Sequence, residues 1–226
     1  MTITYHKEVV QGGDEWLAMR CGLLTASEMK LILTPTLKKA ANDKSRAHVY
    51  EILAQRISRY VEPKYVGDAM LRGLEDEVEA SILYNEHIAP VQPIGFVTND
   101  EWGFTIGYSP DGLVGDDGLI EVKSRIQKYQ VETIIAGTVP DEFVLQVQTG
   151  LLVTRRKWLD FMSYSGGLPM PIMRVEPNPV IQDAIIEAGM SFEADIAAKL
   201  ALYGEHLRGA GRFLPTKRRI EQGIIV

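Results

Sequence analysis

The sequence predicts a mixed α/β fold, in which a β-sheet is flanked by helices. Three observations predict it: helical periodicity fills the early part of the chain, closely spaced strand-like segments follow, and one apolar helix separates later strands. Elements in this order are typical of a mixed sheet that helices cover.

The helices are predicted from apolar periodicity and from their end signals. Pro90 and Pro93 end the fourth helix, and Pro140, which two acidic residues follow, begins the fifth. The predicted helices span 14–19, 25–33, 42–61, 68–88, 140–153 and 178–203.

The strands are predicted from short apolar runs between turn signals. The dipeptide Asp117-Gly118 is a strong hairpin signal, so the third strand is entered through a tight turn. The predicted strands span 94–98, 103–108, 118–124, 157–164 and 171–175.

The chain has 226 residues, which is enough for one large domain. The sequence shows no internal repeat and no linker, so we expect a single domain over 1–226. Within it, 178–226 are expected to form a C-terminal helix and a basic tail that is irregular from Gly204.

Cysteine content, hydropathy and charge limit the function classes. Cys21 is the only cysteine, which excludes an intrachain disulfide and suits a reducing compartment. No apolar run reaches the ~18 residues that span a bilayer, and the start of the chain lacks the pattern of a secretory signal. We therefore expect a cytoplasmic protein with no membrane partner. The net charge of −6 argues against a protein that simply coats nucleic acid by electrostatic attraction. Basic residues nevertheless cluster at 38–39, 155–157 and 217–219.

The segment SPDGLVGDDGLIEVKS, at 109–124, contains the charged residues Asp111, Glu121 and Lys123. Because side chains alternate along a strand, Glu121 and Lys123 point the same way, and Asp111 can approach Glu121 across a short hairpin. Two carboxylates and the Val122 carbonyl would make a hard oxygen site that suits Mg²⁺ or Mn²⁺. Lys123 beside that ion could steady an attacking water or the charge that develops on a phosphate.

Other interpretations of this hairpin remain open. An Asp-Gly turn and an exposed Glu-x-Lys strand are common, so the segment alone also fits a polar turn. A calcium loop is excluded because Leu113 and Gly115 stand where oxygen ligands are needed. Paired carboxylates also serve glycoside hydrolysis, but that reaction gives the adjoining lysine no role.

The helix predicted at 68–88 carries Glu77 on the face that we expect to be packed. A carboxylate there is costly unless it is paired or binds a metal, and Gly73 and Ala80 leave room for a close neighbour. Glu77 is therefore predicted to point at the metal hairpin, with a structural salt bridge as the alternative. The predicted solvent face comprises Arg72, Glu75, Asp76, Glu79 and Glu86, and the packed face Met70, Gly73, Leu74, Ala80, Ser81 and Tyr84.

The helix predicted at 140–153 is apolar nearly all round, yet it contains Gln146 and Gln148 on nearly opposite sides. Each buried amide needs hydrogen-bond partners. One of the two can bond to the backbone, and the other could orient a water or a phosphate oxygen next to the metal.

The segment WLAMRCGLLTASEMK, at 16–30, predicts a binding site for a phosphate group, which is called the phosphate seat below. Thr25 and Glu28 have the spacing of a capping box, so a helix is expected to begin after Thr25 and to offer free backbone N–H groups. Ser27 adds a hydroxyl, and Arg20 could bind a phosphate in a bidentate manner. Plain helix capping beside a surface arginine is the alternative.

Taken in order, these motifs resemble the phage lambda exonuclease family, the YqaJ-type viral recombinases within the PD-(D/E)xK nuclease superfamily. Any one element is weak, but five in the same order are specific. The matching elements are Trp16-x3-Arg20-x-Gly22-x2-Thr25-Ala26-Ser27, Gly73-x3-Glu77-x2-Ala80, Ser109-Pro110-Asp111-Gly112, Glu121-Val122-Lys123 and Gln146-Val147-Gln148.

The resemblance implies a restriction-endonuclease-like core and a Mg²⁺-dependent 5′→3′ exonuclease that acts processively on duplex DNA ends, with Mn²⁺ as a substitute. It also implies a homotrimeric ring, a single-strand annealing protein that receives the 3′ strand for recombination, and a phage or prophage gene expressed in a bacterial host. The implied roles are catalysis for Lys123, metal binding for Asp111, Glu121 and Val122 with Glu77 near them, assistance at the metal for Gln146, and phosphate or DNA binding for Arg20, Ser27 and Thr25.

One departure from the family pattern concerns the residues after the lysine. Family members often have a small residue or a cysteine and then a proline there, whereas this chain has Ser124 and Arg125. Two alternatives to the exonuclease are an endonuclease or nickase on the same core and a catalytically inert DNA-binding module. A carboxylate hydrolase that is not a nuclease is more distant.

Overall fold

The computed structural model describes residues 2–63, 67–209 and 211–218. Its strands are β1 (Ile3–His6), β2 (Leu24–Thr25), β3 (Val91–Gln92), β4 (Phe96–Asn99), β5 (Ile106–Tyr108), β6 (Gly112–Val114), β7 (Gly118–Ser124), β8 (Trp158–Tyr164) and β9 (Ile172–Val175). Its helices are α1 (Asp14–Arg20), a 3-10 helix (Ala26–Leu31), α2 (Asp43–Ser58), α3 (Asp68–His87), α4 (Gln127–Ala136), α5 (Asp141–Thr154) and α6 (Pro179–Arg208).

The strands form two sheets, where the sequence predicts one. The four-stranded sheet has the order β1-β4-β5-β2, and the five-stranded sheet has the order β3-β6-β7-β8-β9. Each contains a parallel pair, β2 with β5 and β7 with β8, beside antiparallel pairs. The predicted mixed α/β class with flanking helices is therefore confirmed, although the division into two sheets was not predicted.

The five-stranded sheet is covered on both faces. One face of β7 and β8 carries Leu119, Leu159 and Phe161 into the larger core, to which α5 contributes. The other face carries Ile120 and Met162 into a smaller core under α3. Both faces of these two strands are therefore buried. An unpaired charge is costly in such a place, so any charged residue in the two strands needs a partner.

Helix α5 is buried almost all round, as its composition predicts, because it contacts both sheets. It packs on β4 and β5 of the four-stranded sheet and on β8 of the five-stranded sheet, and the 3-10 helix and α6 cover the rest of it. The side chains from Val147 to Thr154 are accordingly all buried. The helix thus joins the two sheets.

Helix α3 covers the sheet with a different set of residues from the one predicted. Ala80 and Tyr84 are buried, but Met70 and Leu74 are 54% and 59% exposed, because that end of the helix lacks a described layer over it. A Cβ at Gly73 would meet no described atom within 4 Å, so the predicted close neighbour is not found there. Asp76, expected in solvent, is half-buried and accepts a hydrogen bond from the Ser124 hydroxyl.

Two of the predicted helices need correction, and one helix was not predicted. The segment 25–33 is a six-residue 3-10 helix preceded by β2, not an α-helix. Helix α6 continues through Gly204 to Arg208, since the basic side chains of its last turn favour the negative end of the helix dipole. Helix α4 was not predicted, because several of its apolar side chains face solvent and hide the amphipathic pattern.

No helix within the described ranges combines the length and the hydrophobicity that a membrane span requires. Residues 219–226, the end of the predicted basic tail, lie outside the described residues.

Candidate active site

Strand β7 places Glu121 and Lys123 on the same face of its sheet, as strand alternation predicts. The Lys123 Nζ atom lies 2.6 Å from Glu121 Oε1, and Glu121 is only 1% exposed. Desolvation lowers the pKa of Lys123, but attraction from Glu121 and then Asp111 outweighs it, so the pKa lies above its ordinary value. Lys123 is therefore an ammonium held against a buried carboxylate.

Asp111 lies between β5 and β6 and reaches the free edge of β7. The β6–β7 pairing ends at Gly112 and Ile120, and beyond it the Val122 N–H donates to Asp111 Oδ2 over 2.6 Å. In a strand the N–H and the C=O of one residue face the same edge, so the Val122 carbonyl opens toward Asp111. Desolvation, and then the charges of Glu121 and Glu77, raise the pKa of Asp111 well above its ordinary value.

Glu77 reaches this group from α3, as the sequence predicts. Its carboxyl group hydrogen-bonds to that of Asp111 and interacts with the charges of Glu121 and Lys123. Desolvation is the largest cause of its raised pKa, and the nearby Glu121 charge adds to it. The structure thus brings the three acids into electrostatic contact. Within the described part of the chain, however, no group of three or more Asp, Glu, His or Cys side chains is close enough to hold a metal ion by itself.

The two glutamines of α5 have different partners. Gln146 Nε2 donates to Glu121 Oε1, so Gln146 belongs to the site. Gln148 points elsewhere: its Nε2 donates to the Glu176 carbonyl over 2.9 Å, and its Oε1 accepts from the Asn178 N–H over 2.8 Å. Of the two predicted roles, Gln148 therefore has the structural one.

Tyr108 is a site residue that sequence reasoning missed. Its hydroxyl donates to Glu121 Oε2 over 2.6 Å, and the residue is 1% exposed. Burial, and then the charges of Glu121 and Asp111, raise the pKa of Tyr108 well above its ordinary value, so the phenol keeps its proton. The available signal was its place at the end of a strand, immediately before Ser109-Pro110-Asp111.

A cavity of about 190 Å³ connects these residues with the predicted phosphate seat. Arg20 lies at one side of it, with Cζ 4.3 Å from the centre of the Trp16 ring, and Ser27 lines it as well. Burial lowers the pKa of Arg20, although the Glu28 charge opposes that shift, and a guanidinium stays charged in any case. The residues that line the cavity are Trp16, Arg20, Ala26, Ser27, Tyr108, Ser109, Asp111, Glu121, Lys123 and Gln146.

The predicted capping box is not formed. Thr25 precedes the 3-10 helix but makes no side-chain cap; its hydroxyl donates to Glu28 Oε2 over 2.7 Å and accepts from Arg20 Nη2 over 3.3 Å. Thr25 is buried and does not line the cavity; its hydroxyl contacts Arg20, and its own contact with phosphate or DNA stays a prediction. Gly22, with φ of +76°, makes the turn that was predicted between Arg20 and this segment.

The oxygen donors at β7 fit a small divalent cation. The Asp111 and Glu121 carboxylates and the Val122 carbonyl are hard ligands of the kind that Mg²⁺ and Mn²⁺ prefer. Desolvation is the largest cause of the raised pKa values of Asp111 and Glu77, and the charge of Glu121 adds to both, so a bound cation would stabilise the two ionised carboxylates.

The chain after Lys123 does not leave the sheet where the family pattern places a proline. The Arg125 N–H donates to the Tyr164 carbonyl over 2.7 Å, so pairing with β8 continues past Ser124. The Arg125 side chain pairs with Glu142 and lies over the Phe143 ring. Helix α4 then begins.

Several cations of the basic clusters noted in the sequence have partners within the described part of the chain. Lys39 pairs with Asp195 over 2.8 Å, and Arg155 pairs with Glu101. The other contacts are Arg156 to the Gly115 and Gly118 carbonyls, Lys157 to Asp117, and Arg218 to the Ser58 carbonyl.

The solved structures similar to this chain include an alkaline exonuclease, in two crystal structures, and a more distant phage-related exonuclease. The alkaline exonuclease LHK-Exo from Laribacter hongkongensis is 29% identical, with a TM-score of 0.75 over 85% of this chain and 97% of that chain. LHK-Exo in complex with dAMP is 31% identical, with the same TM-score and coverage. A phage-related exonuclease from Haemophilus somnus 129PT is 12% identical, with a TM-score of 0.52 over 79% of this chain and 96% of that chain, which shows likeness of fold alone. Comparison with curated protein sequences gives no significant match.

The core is accordingly of the restriction-endonuclease-like fold, as predicted. The profile of the YqaJ-like viral recombinase domain matches residues 15–157, which include all the predicted site residues from Arg20 to Gln146. Since that match spans more than half of the sequence, the chain belongs to the YqaJ-like viral recombinase domain family.

Proposed function

We propose that the protein is a divalent-metal-dependent exodeoxyribonuclease. It digests one strand of linear double-stranded DNA in the 5′→3′ direction and leaves 3′ single-stranded overhangs for recombination by single-strand annealing. The observation that supports this best is one cavity that contains Asp111, Glu121 and Lys123 together with Arg20 and Ser27. These are the groups that hydrolysis of a phosphodiester next to a terminal phosphate requires.

Asp111, Glu121 and the Val122 carbonyl would hold the cation, Mg²⁺ or in its place Mn²⁺, with Glu77 beside them. When bound, the cation supplies Lewis acidity at the scissile phosphate and lowers the pKa of a coordinated water. The remaining roles are those of the protein's own side chains. Lys123 keeps its proton and places a positive charge where negative charge develops on the phosphate, and Gln146 holds the Glu121 carboxylate in place.

The residues on the other side of the cavity would make the enzyme select the end of a DNA strand. Arg20, stacked on Trp16 and held by Thr25, presents a guanidinium that suits bidentate phosphate binding, and the Ser27 hydroxyl adds a donor. A relative with 31% identity binds dAMP, a deoxynucleoside monophosphate, which is what stepwise removal of terminal nucleotides releases. We therefore assign Arg20 and Ser27 to the 5′-phosphate.

The test compares two forms of one DNA molecule. With Mg²⁺, the linear duplex with 5′-phosphates is expected to be degraded and the covalently closed circle to survive, and a chelator stops degradation. A label at the 5′ end should be released first, as mononucleotide, and a label at the 3′ end last. Cutting of the closed circle would favour the endonuclease or nickase, and binding of linear DNA without turnover would favour the inert module.

The proposal includes a homotrimeric ring, a single-strand annealing protein as partner, action in the bacterial cytoplasm, and one domain over 1–226. The exposed apolar residues Met70, Leu74 and Val78 of α3, close in sequence to Glu77, favour a protein contact there. Sedimentation equilibrium should give three times the chain mass. A monomeric mass at micromolar concentration would contradict the ring.

A further inference from the structure

The hydroxyl of Tyr108 connects the two sheets at the site. Tyr108 ends β5 in the four-stranded sheet, and Glu121 lies in β7 of the five-stranded sheet. The two side chains meet in the protein interior over a 2.6 Å hydrogen bond, with each residue 1% exposed. A phenylalanine would fill the same space without a hydroxyl that needs a partner, so packing alone does not explain a tyrosine here.

The hydrogen bonds of Glu121 divide its two oxygens into separate roles. Oε2 accepts from Tyr108, whereas Oε1 interacts with Lys123 and Gln146. With Oε2 fixed by a rigid ring, rotation of the carboxylate about its last bond would break a short buried hydrogen bond. Oε1 is therefore the oxygen that remains with the Lys123 and Gln146 head groups beside the cavity.

The fold makes specific room for this ring. Gly150 of α5 lies against it: a Cβ at that position would be 2.6 Å from Tyr108 Cζ and 3.1 Å from its hydroxyl oxygen. Glycine inside a helix is unfavourable by about 1 kcal/mol relative to alanine. The helix that supplies Gln146 thus also accepts a destabilising residue one turn later to admit the tyrosine.

We propose that Tyr108 is a positioning residue for metal binding: its hydroxyl fixes the Glu121 carboxylate so that Oε1 alone is presented to the cation. This inference rests on the proposed function. Tyr108 also lines the cavity, but its hydroxyl donates to Glu121 Oε2, and the proposed effect is exerted through that carboxylate. Outer partners of metal ligands commonly change metal affinity when removed, because they orient the ligand.

The experiment measures Mn²⁺ binding to the DNA-free protein by calorimetry and by the electron paramagnetic resonance signal of free Mn²⁺. Tyr108→Phe is expected to weaken binding by about 10- to 100-fold. The matched control is Tyr84→Phe, which also removes a hydroxyl from a fully buried tyrosine, one that donates to Asp160 Oδ2 over 2.7 Å. Because Asp160 lies on the opposite face of the sheet from Glu121, the control should leave Mn²⁺ affinity within about twofold of the original.

A second readout separates positioning from general damage. The Mn²⁺ concentration that half-saturates DNA hydrolysis should rise for Tyr108→Phe by the same factor as the dissociation constant, while the rate at saturating Mn²⁺ stays close to that of the original protein. Circular dichroism checks that both variants are folded. If Tyr108→Phe does not fold, Tyr108→Met takes its place, because the flexible thioether side chain fills the same space without a hydroxyl.

Unchanged Mn²⁺ affinity in Tyr108→Phe, or an equal loss in Tyr84→Phe, overturns the inference. So does a lack of Mn²⁺ binding by the original protein. Failure of the proposed function looks different: the original protein would bind Mn²⁺, Tyr108→Phe would bind it more weakly, and neither would degrade linear DNA.

Discussion

Replacement of Gly150 by alanine should destabilise the protein, although alanine is the better helix former. Alanine favours a helix interior by about 1 kcal/mol over glycine. The new Cβ, however, would lie 2.6 Å from Tyr108 Cζ and 2.7 Å from Cε1. To restore the ~3.5 Å of ordinary carbon contact, the ring must move by about 1 Å.

The ring has no free direction in which to move, because it is buried and its hydroxyl is 2.6 Å from Glu121 Oε2. Overpacking costs about 1–3 kcal/mol, and loss of a hydrogen bond to a charged group costs about 1.5–3 kcal/mol. After the helix gain is subtracted, Gly150→Ala should lower the free energy of unfolding by about 1.5–5 kcal/mol.

The measurement is urea denaturation followed by circular dichroism, with a chelator present so that metal binding does not contribute. Gly73→Ala is the matched control: it also lies inside a helix, but its Cβ would meet no described atom within 4 Å. That variant should gain about 1 kcal/mol, or a rise in Tm of about 2–4 °C. If Gly150→Ala is as stable as the original protein or stabilises it like Gly73→Ala, the described contact between α5 and the Tyr108 ring is wrong.

Three further substitutions test the site. The pKa of Asp111 is raised in the folded state, so its ionisation destabilises the metal-free fold above the ordinary carboxyl pKa of ~4. Asp111→Asn should therefore raise the free energy of unfolding at pH 8 by about 0.5–2 kcal/mol, with a smaller gain as the pH falls toward 4. A variant that is less stable than the original protein at pH 8 would contradict this. Lys123→Ala should reduce hydrolysis of linear DNA by at least about 100-fold with little change in DNA binding by fluorescence anisotropy, whereas the control Lys157→Ala, which removes an exposed lysine paired with Asp117, should retain activity. Arg20→Ala should reduce the preference for 5′-phosphorylated over unphosphorylated ends by about 10- to 150-fold, since one charge-assisted contact contributes about 1.5–3 kcal/mol, and an unchanged preference would remove Arg20 from the phosphate seat.

The parts of the site that depend on local regularity could be predicted from the sequence. Strand alternation is enough to place Glu121 and Lys123 together, and a tight turn before β7 is enough to bring Asp111 close. Glu77 was assigned to the site from helix geometry. The same argument placed Met70 and Leu74 on a packed face, but both are exposed. The prediction failed because helix periodicity defines a face of the helix and does not say what covers that face.

The parts that depend on distant pairing could not be predicted. Strand β1 pairs with β4, nearly a hundred residues away, and two-residue strands such as β2 carry no periodic signal of their own. Tyr108 shows the same limit. Its role depends on how two sheets pack, and no local pattern says which buried carboxylate lies opposite a given tyrosine.

The bridging position of α5 has a consequence for the product. The groups assigned to the terminal phosphate, Arg20 and Ser27, flank β2 of one sheet, whereas Glu121 and Lys123 lie in β7 of the other and Asp111 directly precedes its strand β6. Under the proposed function, the packing of α5 between the two sheets sets the distance between the terminal phosphate and the bond that is cut.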